Sequence, residues 1–187
     1  MILLFVEGYD VLQPQRYNAL FLKEPVMSQS TPTLPATGKA APAFSLLDQQ
    51  GNTVKLSDLK GKTVVLYFYP KAMTPGCTVQ ACGLRDSADA LAKHNIVVLG
   101  VSPDPVNKLQ KFVEKEGLNF TLLSDIDHSV AEAYGSWGLK KFMGREYMGV
   151  LRQTFIIDAA GKLRHIITDV KTKTHHDDVL NWITANL

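Results

Sequence analysis

The chain has 187 residues, of which 45% are hydrophobic and 20% charged, and its formal net charge is +2. These values fit one domain that buries its own core, and they exclude a disordered chain, a collagen and a disulfide-rich scaffold. The near-neutral charge does not indicate nucleic-acid binding, and no apolar run approaches the roughly 20 residues of a membrane helix. Its two cysteines, Cys77 and Cys82, can form one redox pair or part of a metal site.

Residues 1–37 differ in composition from the rest of the chain. The segment 1–6, MILLFV, is apolar but lacks the basic region of a secretory signal, so we expect a cytoplasmic protein. From Met27 the sequence MSQSTPTLPATG predicts a flexible lead-in. Two interpretations of the residues before Met27 stay open: an over-extended start, or an arm that packs on the domain. We therefore predict an N-terminal extension over 1–37 and one domain over 38–187.

The first half of that domain alternates strands and helices. The segment 63–69, TVVLYFY, is β-branched, aromatic and almost continuously apolar, which is typical of a strand buried on both faces. The other predicted elements are strands over 53–56 and 96–101, a loop over 70–75 and a helix over 76–93.

The second half of the domain continues the alternation and then ends in a hairpin and a helix. Asp104 and Pro105 are typical of an N-cap and a first-turn proline, and Gly117 is typical of a helix end. The predicted elements are helices over 104–116 and 127–135, a strand over 120–123, a surface loop over 136–150, hairpin strands over 153–158 and 163–168, and a helix from Thr174. This order predicts an α/β, thioredoxin-like fold, in which a central mixed β-sheet is flanked by helices.

Cys77 lies where a buried strand ends and a helix begins. A helix N-terminus stabilises an anion, and the thiolate is the reactive form of cysteine. Cys77 is therefore a candidate nucleophile, although a small buried core residue is the alternative. Thr74, three residues earlier, can place its hydroxyl near the sulfur or cap the helix. Pro70 ends the strand and removes one backbone donor.

The pattern Pro-x-x-x-Thr-x-x-Cys, within FYPKAMTPGCTVQACGLRD, resembles the active-site signature of peroxiredoxins, and in particular the Q-type or bacterioferritin comigratory subgroup. The resemblance covers residues 38–187, including NFTLLSD and RQTFIID. It implies a thiol peroxidase that reduces hydrogen peroxide and organic hydroperoxides without metal, haem or flavin.

The resemblance also implies roles for individual residues. Cys77 would be the peroxidatic cysteine, Thr74 would hydrogen-bond the thiolate and the peroxide, and Pro70 would shield the pocket from water. Arg152 matches the family's active-site arginine. A guanidinium beside a thiolate favours the ionised sulfur, whereas the alternative for Arg152 is a surface salt bridge.

Cys82 follows Cys77 by five residues. On one intact helix their Cα atoms would lie about 8–9 Å apart, beyond the roughly 7 Å limit of a disulfide. The spacing disfavours a Cys-x-x-Cys oxidoreductase, and a zinc site would need two more ligands, for which His175 and His176 are adjacent and poorly placed. The resemblance implies that Cys82 is a resolving cysteine that pairs with Cys77 after local unwinding. The alternative is a buried core residue, with another thiol in that role.

The resemblance further implies a monomer that is recycled by thioredoxin or a glutaredoxin-like dithiol protein, with no nucleic-acid or membrane partner. Nucleotide-binding glycine motifs are absent from the sequence. Two other functions stay open from the residues alone: a redox-regulated binding or holdase protein, and a protein disulfide oxidoreductase.

Overall fold

The computed structural model describes residues 32–187, and the two interpretations of the residues before Met27 lie outside the described residues. The described elements are β1 (Ser45–Asp48), β2 (Thr53–Lys55), a 3₁₀ turn (Leu56–Leu59), β3 (Thr63–Phe68), α1 (Pro75–Asp86), α2 (Ala88–Ala92), β4 (Ile96–Ser102), α3 (Val106–Glu116), β5 (Thr121–Ser124), α4 (Ser129–Ala133), β6 (Trp137–Phe142), β7 (Arg145–Val150), β8 (Gln153–Ile157), β9 (Leu163–Ile167) and α5 (His175–Asn186).

Seven of these strands form one sheet in the order β2-β1-β5-β4-β3-β8-β9. The β3–β4 and β4–β5 pairs are parallel, and the other pairs are antiparallel. The predicted central mixed sheet flanked by helices is confirmed. Alternate residues of β3 supply both halves of the core: Val65 and Tyr67 pack with α1, α3 and α5, whereas Val64 and Leu66 pack with α4 on the other face.

The surface loop predicted over 136–150 is wrong. Strands β6 and β7 pair there as an antiparallel hairpin, from Trp137 opposite Val150 to the turn at Met143 and Gly144. Both turn residues have positive φ, 49° and 79°, which is the backbone form that two-residue hairpin turns need. The glycines in this segment weaken the alternating pattern by which a strand is recognised.

Three further predictions differ from the structure. The helix predicted over 76–93 is divided into α1 and α2, since the Ser87 hydroxyl donates to the Gly83 carbonyl at 2.9 Å and competes with the helical pattern. Strand β1 was not predicted.

Helix α3 begins at Val106, so Pro105 occupies the cap position, while the Asp104 carboxylate accepts from the Ala72 amide. Gly117 does end α3, with φ of 59°.

The last part of the predicted lead-in contacts the domain. A Cβ atom added to Gly135 would lie 2.6 Å from the Thr33 carbonyl oxygen, and one added to Gly138 would lie 2.7 Å from the Pro32 ring. Residues 32–33 therefore pass directly over the start of the β6–β7 hairpin, and both glycines make this approach possible.

Candidate active site

Cys77 is the third residue of α1, and 2% of its surface is exposed. The first helical hydrogen bond of α1 runs from the Thr78 amide to the Thr74 carbonyl at 2.9 Å. The amides of Gly76 and Cys77 therefore precede the helical hydrogen-bond pattern, at the positive end of the helix dipole. This is the strand-to-helix junction that the sequence predicts, and it favours a negative charge on the sulfur.

Arg152 precedes β8, and β8 pairs with β3, the strand that leads to Cys77. Its Nη2 donates to the Cys77 Sγ at 3.3 Å, and its Nη1 donates to the Gln80 Oε1. A Cβ atom on Gly76 would lie 3.9 Å from Nη2, an ordinary van der Waals distance, so the guanidinium packs alongside the first turn of α1. The structure thus brings Arg152 and Cys77 together, although they are 75 residues apart in the chain.

Thr74 is the N-cap residue of α1, but its hydroxyl donates to the Lys71 carbonyl at 2.9 Å. The expected contact of this hydroxyl with the Cys77 sulfur is not formed, nor is a side-chain cap. The reason lies in the loop, where Met73 has φ of 62° and turns the chain so that the Lys71 carbonyl comes within reach. Pro70 is half-buried at the start of the same loop.

Asp104 fixes this loop from outside it, and it is a site residue that the sequence did not reveal. Its Oδ2 accepts from the Ala72 amide at 2.6 Å and from the Ser102 hydroxyl at 3.1 Å. Its Oδ1 accepts from the Lys108 ammonium at 2.5 Å. The carboxylate that the sequence assigns to a helix cap therefore anchors the backbone between Pro70 and Cys77.

Gln80 is a second residue that the sequence did not reveal. Its side chain is buried beside Arg152, and its Nε2 lies 3.1 Å from the Nδ1 of His175 in α5. The only available signal was the spacing, since Gln80 follows Cys77 by one helical turn and must share its face of α1. A row of side chains thus leads from the sulfur through Arg152 and Gln80 into the core.

Cys82 lies about 1.4 turns after Cys77, within the same helix, and both are free thiols. Its Sγ lies 3.9 Å from the Glu116 Oε2 at the end of α3. Burial raises the pKa of the Cys82 thiol, and Glu116 raises it further through its charge, while Arg85 lowers it. In this folded state Cys82 is therefore held as the less reactive protonated form.

His175 and His176 begin α5 and face different neighbours. His175 contacts Gln80, whereas the His176 ring packs against Gly83 of α1. Within residues 32–187, no three His, Cys, Asp or Glu side chains are grouped so that they could hold a metal ion. None of the helices in that range is long and apolar enough to cross a membrane.

Comparison with known proteins identifies the family. Residues 37–166 match the model of the AhpC/TSA family. The chain belongs to the AhpC/TSA family. Over 146 residues it is 60% identical to peroxiredoxin Bcp of Escherichia coli K12, covering 78% of this chain and 94% of that protein. This chain is thus a peroxiredoxin, and its resemblance to the bacterioferritin comigratory subgroup is confirmed.

Solved structures agree with this assignment. Peroxidoxin BcpB of Mycobacterium tuberculosis is 38% identical with a TM-score of 0.72, covering 81% of this chain and 97% of that one. The bacterioferritin comigratory protein of Xanthomonas campestris, studied for its alkyl peroxide reduction activity, is 31% identical with a TM-score of 0.72, covering 76% and 90%. The chain is a thiol peroxidase with a thioredoxin-like fold. Its similarity to named peroxiredoxins favours this function over a holdase or a disulfide oxidoreductase.

Proposed function

We propose that Cys77 is the peroxidatic cysteine of this peroxidase and that hydrogen peroxide and organic hydroperoxides are its substrates. The observation that carries the proposal is the 3.3 Å contact between Arg152 Nη2 and Cys77 Sγ at the start of α1. The Cys77 thiolate attacks the terminal peroxide oxygen, so that an S–O bond forms and the O–O bond breaks. The products are a sulfenic acid on Cys77 and a hydroxide or alkoxide, which takes up one proton from the solvent and leaves as water or an alcohol.

Three neighbours assist this step in the proposed mechanism. Arg152 stabilises the thiolate and the charge that develops on the leaving oxygen. The Thr74 hydroxyl already donates a hydrogen bond to the Lys71 carbonyl, so its oxygen lone pairs can accept a hydrogen bond from the O–H of the peroxide. Pro70 has no N–H group and shields the pocket without attracting water.

Cys82 is the resolving cysteine in this proposal. Its thiol condenses with the sulfenic acid on Cys77, which forms the disulfide and releases water. Since an intact helix holds the two Cα atoms about 8–9 Å apart, the first turns of α1 must unwind before the bond can form. Unwinding also removes Cys82 from Glu116, which frees it from a neighbour that disfavours its thiolate.

A dithiol protein, thioredoxin or a glutaredoxin-like protein, completes the cycle. Its two thiols reduce the Cys77–Cys82 disulfide and leave as a disulfide themselves, so two electrons are transferred in each turnover. Because both cysteines belong to one helix, no second chain is needed, and we propose a monomer that works in the reducing cytoplasm.

The test is peroxide consumption coupled to thioredoxin, thioredoxin reductase and NADPH. We expect Cys77→Ser to lose turnover, and unchanged turnover would overturn the proposal. Cys82→Ser should still consume one equivalent of peroxide but fail to cycle with thioredoxin. After one equivalent of peroxide, non-reducing digestion should yield a Cys77–Cys82 peptide from a single chain. A linkage found only between chains would contradict the resolving role of Cys82.

A further inference from the structure

Three buried side chains connect Arg152 to the interior of the sheet. The Gln80 Oε1 accepts from Arg152 Nη1, and the Gln80 Nε2 lies 3.1 Å from His175 Nδ1. The His175 Nε2 in turn lies 2.7 Å from the Thr154 hydroxyl of β8. The exposed fraction is 1% for Gln80 and 0% for both His175 and Thr154, so water does not compete for these contacts.

The proton positions in this row follow from the donors available. A guanidinium has only donors, so the Gln80 group that faces Arg152 must be the amide oxygen, and the NH₂ group must face His175. His175 Nδ1 must therefore be unprotonated, and the ring proton must lie on Nε2, which donates to Thr154. A doubly protonated His175 would place two donors against each other. It could avoid this only if Gln80 rotated, which would place its NH₂ group against Arg152.

We propose that His175 is a positioning residue of the peroxidase reaction, which orients the amide of Gln80 so that the amide oxygen holds the Arg152 guanidinium against Cys77. The proposal rests on the assignment of Cys77 as the peroxidatic cysteine. His175 acts through two intermediates and touches neither the sulfur nor the peroxide. Its effect is to choose one of the two orientations of a buried amide, which controls whether Arg152 has an acceptor for its second nitrogen.

The surroundings of His175 keep it neutral. Burial, together with the smaller effect of the nearby charges of Arg152 and His176, lowers the pKa of the imidazole to about 4. From β3, the Tyr67 ring lies 6.0 Å from the imidazole and brings no positive or negative charge at neutral pH. The Cys77 thiol of α1 lies at the other end of this row of side chains, against Arg152. The Nε2–H form is thus maintained over the whole range in which the enzyme would work.

The kinetic test compares two substitutions of His175. His175→Leu removes the acceptor for Gln80, whereas His175→Asn can place an amide oxygen where Nδ1 was. We expect His175→Leu to slow the second-order reaction of reduced Cys77 with peroxide by about 10- to 100-fold, and His175→Asn to recover most of that loss. His165→Leu is the control, since this half-buried imidazole stacks on Trp182 at 5.0 Å, away from Arg152, and should leave the rate unchanged.

A double substitution separates positioning from general support of the fold. If His175 acts through Gln80, adding His175→Leu to Gln80→Leu should slow the reaction no further. Equal loss in His175→Leu and His175→Asn, or rate losses that multiply in the double variant, would overturn the positioning role. These rates are compared with that of Cys77→Ser, whose residual reaction tests the proposed function separately.

A spectroscopic test does not depend on activity. Long-range ¹H–¹⁵N correlation spectra distinguish the two imidazole tautomers and the protonated ring. We expect His175 to show the neutral Nε2–H signature from pH 7 to near pH 5. An Nδ1–H tautomer, or a protonated ring at pH 6, would overturn the proposal even if Cys77 proves to be the peroxidatic cysteine.

Discussion

Gly83 of α1 and His176 of α5 touch so closely that a Cβ atom on Gly83 would lie 2.6 Å from the His176 Nδ1. Gly83 directly follows Cys82, so this contact joins the cysteine helix to the last helix of the fold. A glycine inside a helix costs about 1 kcal/mol relative to alanine. The close approach explains why the chain carries that cost here.

The first prediction therefore concerns Gly83→Ala. Although alanine is the better helix former, we expect a loss of about 1–2 kcal/mol in the free energy of unfolding, because the new methyl group must displace the His176 ring. The measurement is urea unfolding at pH 7. In a His176→Ala background the same change should instead stabilise the protein by about 1 kcal/mol. Stabilisation in both backgrounds would show that the contact is not restrictive.

The second prediction concerns the two terminal nitrogens of Arg152, Nη1 and Nη2, which contact Gln80 and Cys77. Arg152→Met should slow the reaction of Cys77 with peroxide by about 10²- to 10³-fold, the usual effect of removing a donor that stabilises developing charge. Arg152→Lys should recover only part of the rate, since one ammonium cannot bind both Cys77 and Gln80 in the fork geometry of arginine. Stopped-flow fluorescence measures both rates. Arg145→Met, on the exposed end of β7, is the matched control.

The third prediction concerns the carboxylate that anchors the active-site loop. Asp104→Ala leaves the Ala72 amide without its acceptor, which should cost about 1–3 kcal/mol of unfolding free energy and slow the peroxide reaction. Lys108→Met removes only the ion pair and keeps the contact with Ala72, so we expect a smaller loss of unfolding free energy than in Asp104→Ala and an unchanged rate. Equal effects of the two variants would assign the stabilisation to the ion pair.

The fourth prediction concerns the reactivity of Cys82. Glu116→Gln removes the negative charge 3.9 Å from the thiol, which should lower the pKa of Cys82 and increase its thiolate fraction. In a Cys77→Ser background, alkylation by iodoacetamide at pH 7.5 should become roughly two- to five-fold faster. Glu114→Gln, on the exposed side of α3, should not change the rate. A slower reaction in Glu116→Gln would reverse the proposed effect of this carboxylate.

The fifth prediction is a dependence of stability on pH. Burial lowers the pKa of His175 to about 4 in the folded protein, from about 6.5 in an unfolded chain. As the pH falls, His175 therefore binds a proton at a higher pH in the unfolded protein than in the folded protein. The contribution of neutral His175 is fully present above pH 6.5 and is lost towards pH 4, to a total of about 3 kcal/mol. Urea unfolding at pH 7 and pH 4.5 should show a smaller loss in His175→Asn than in the unsubstituted protein.

The fold was predictable where a local pattern carried it. Strands β3 and β4 are rich in β-branched and other apolar residues, and the β8–β9 hairpin has a turn-forming sequence. The β6–β7 hairpin escaped prediction because glycines interrupt its alternation. Ser87 divided a predicted helix through a single side-chain hydrogen bond, which a periodic pattern does not reveal.

The site was predictable only in part, for a similar reason. The position of Cys77 indicated a nucleophile, since its chemistry depends on the strand and helix on either side of it. Arg152 was identified through the family resemblance and not through any local feature. His175 and Asp104 contact partners 95 and 32 residues away, and such contacts depend on how the sheet brings distant segments together.

The place of Gln80 between the two cysteines has a consequence for the oxidised enzyme. If α1 unwinds so that Cys77 can reach Cys82, the intervening Gln80 must leave both His175 and Arg152. The movement that joins the sulfurs would therefore also break the Gln80–Arg152 contact and the helix N-terminus, which together favour an anion at Cys77. Such an enzyme would lose its anion-binding arrangement in each turnover and would regain it only when a reductant cleaves the disulfide and the helix re-forms. Each peroxide molecule reduced would then require one two-electron reduction of the enzyme.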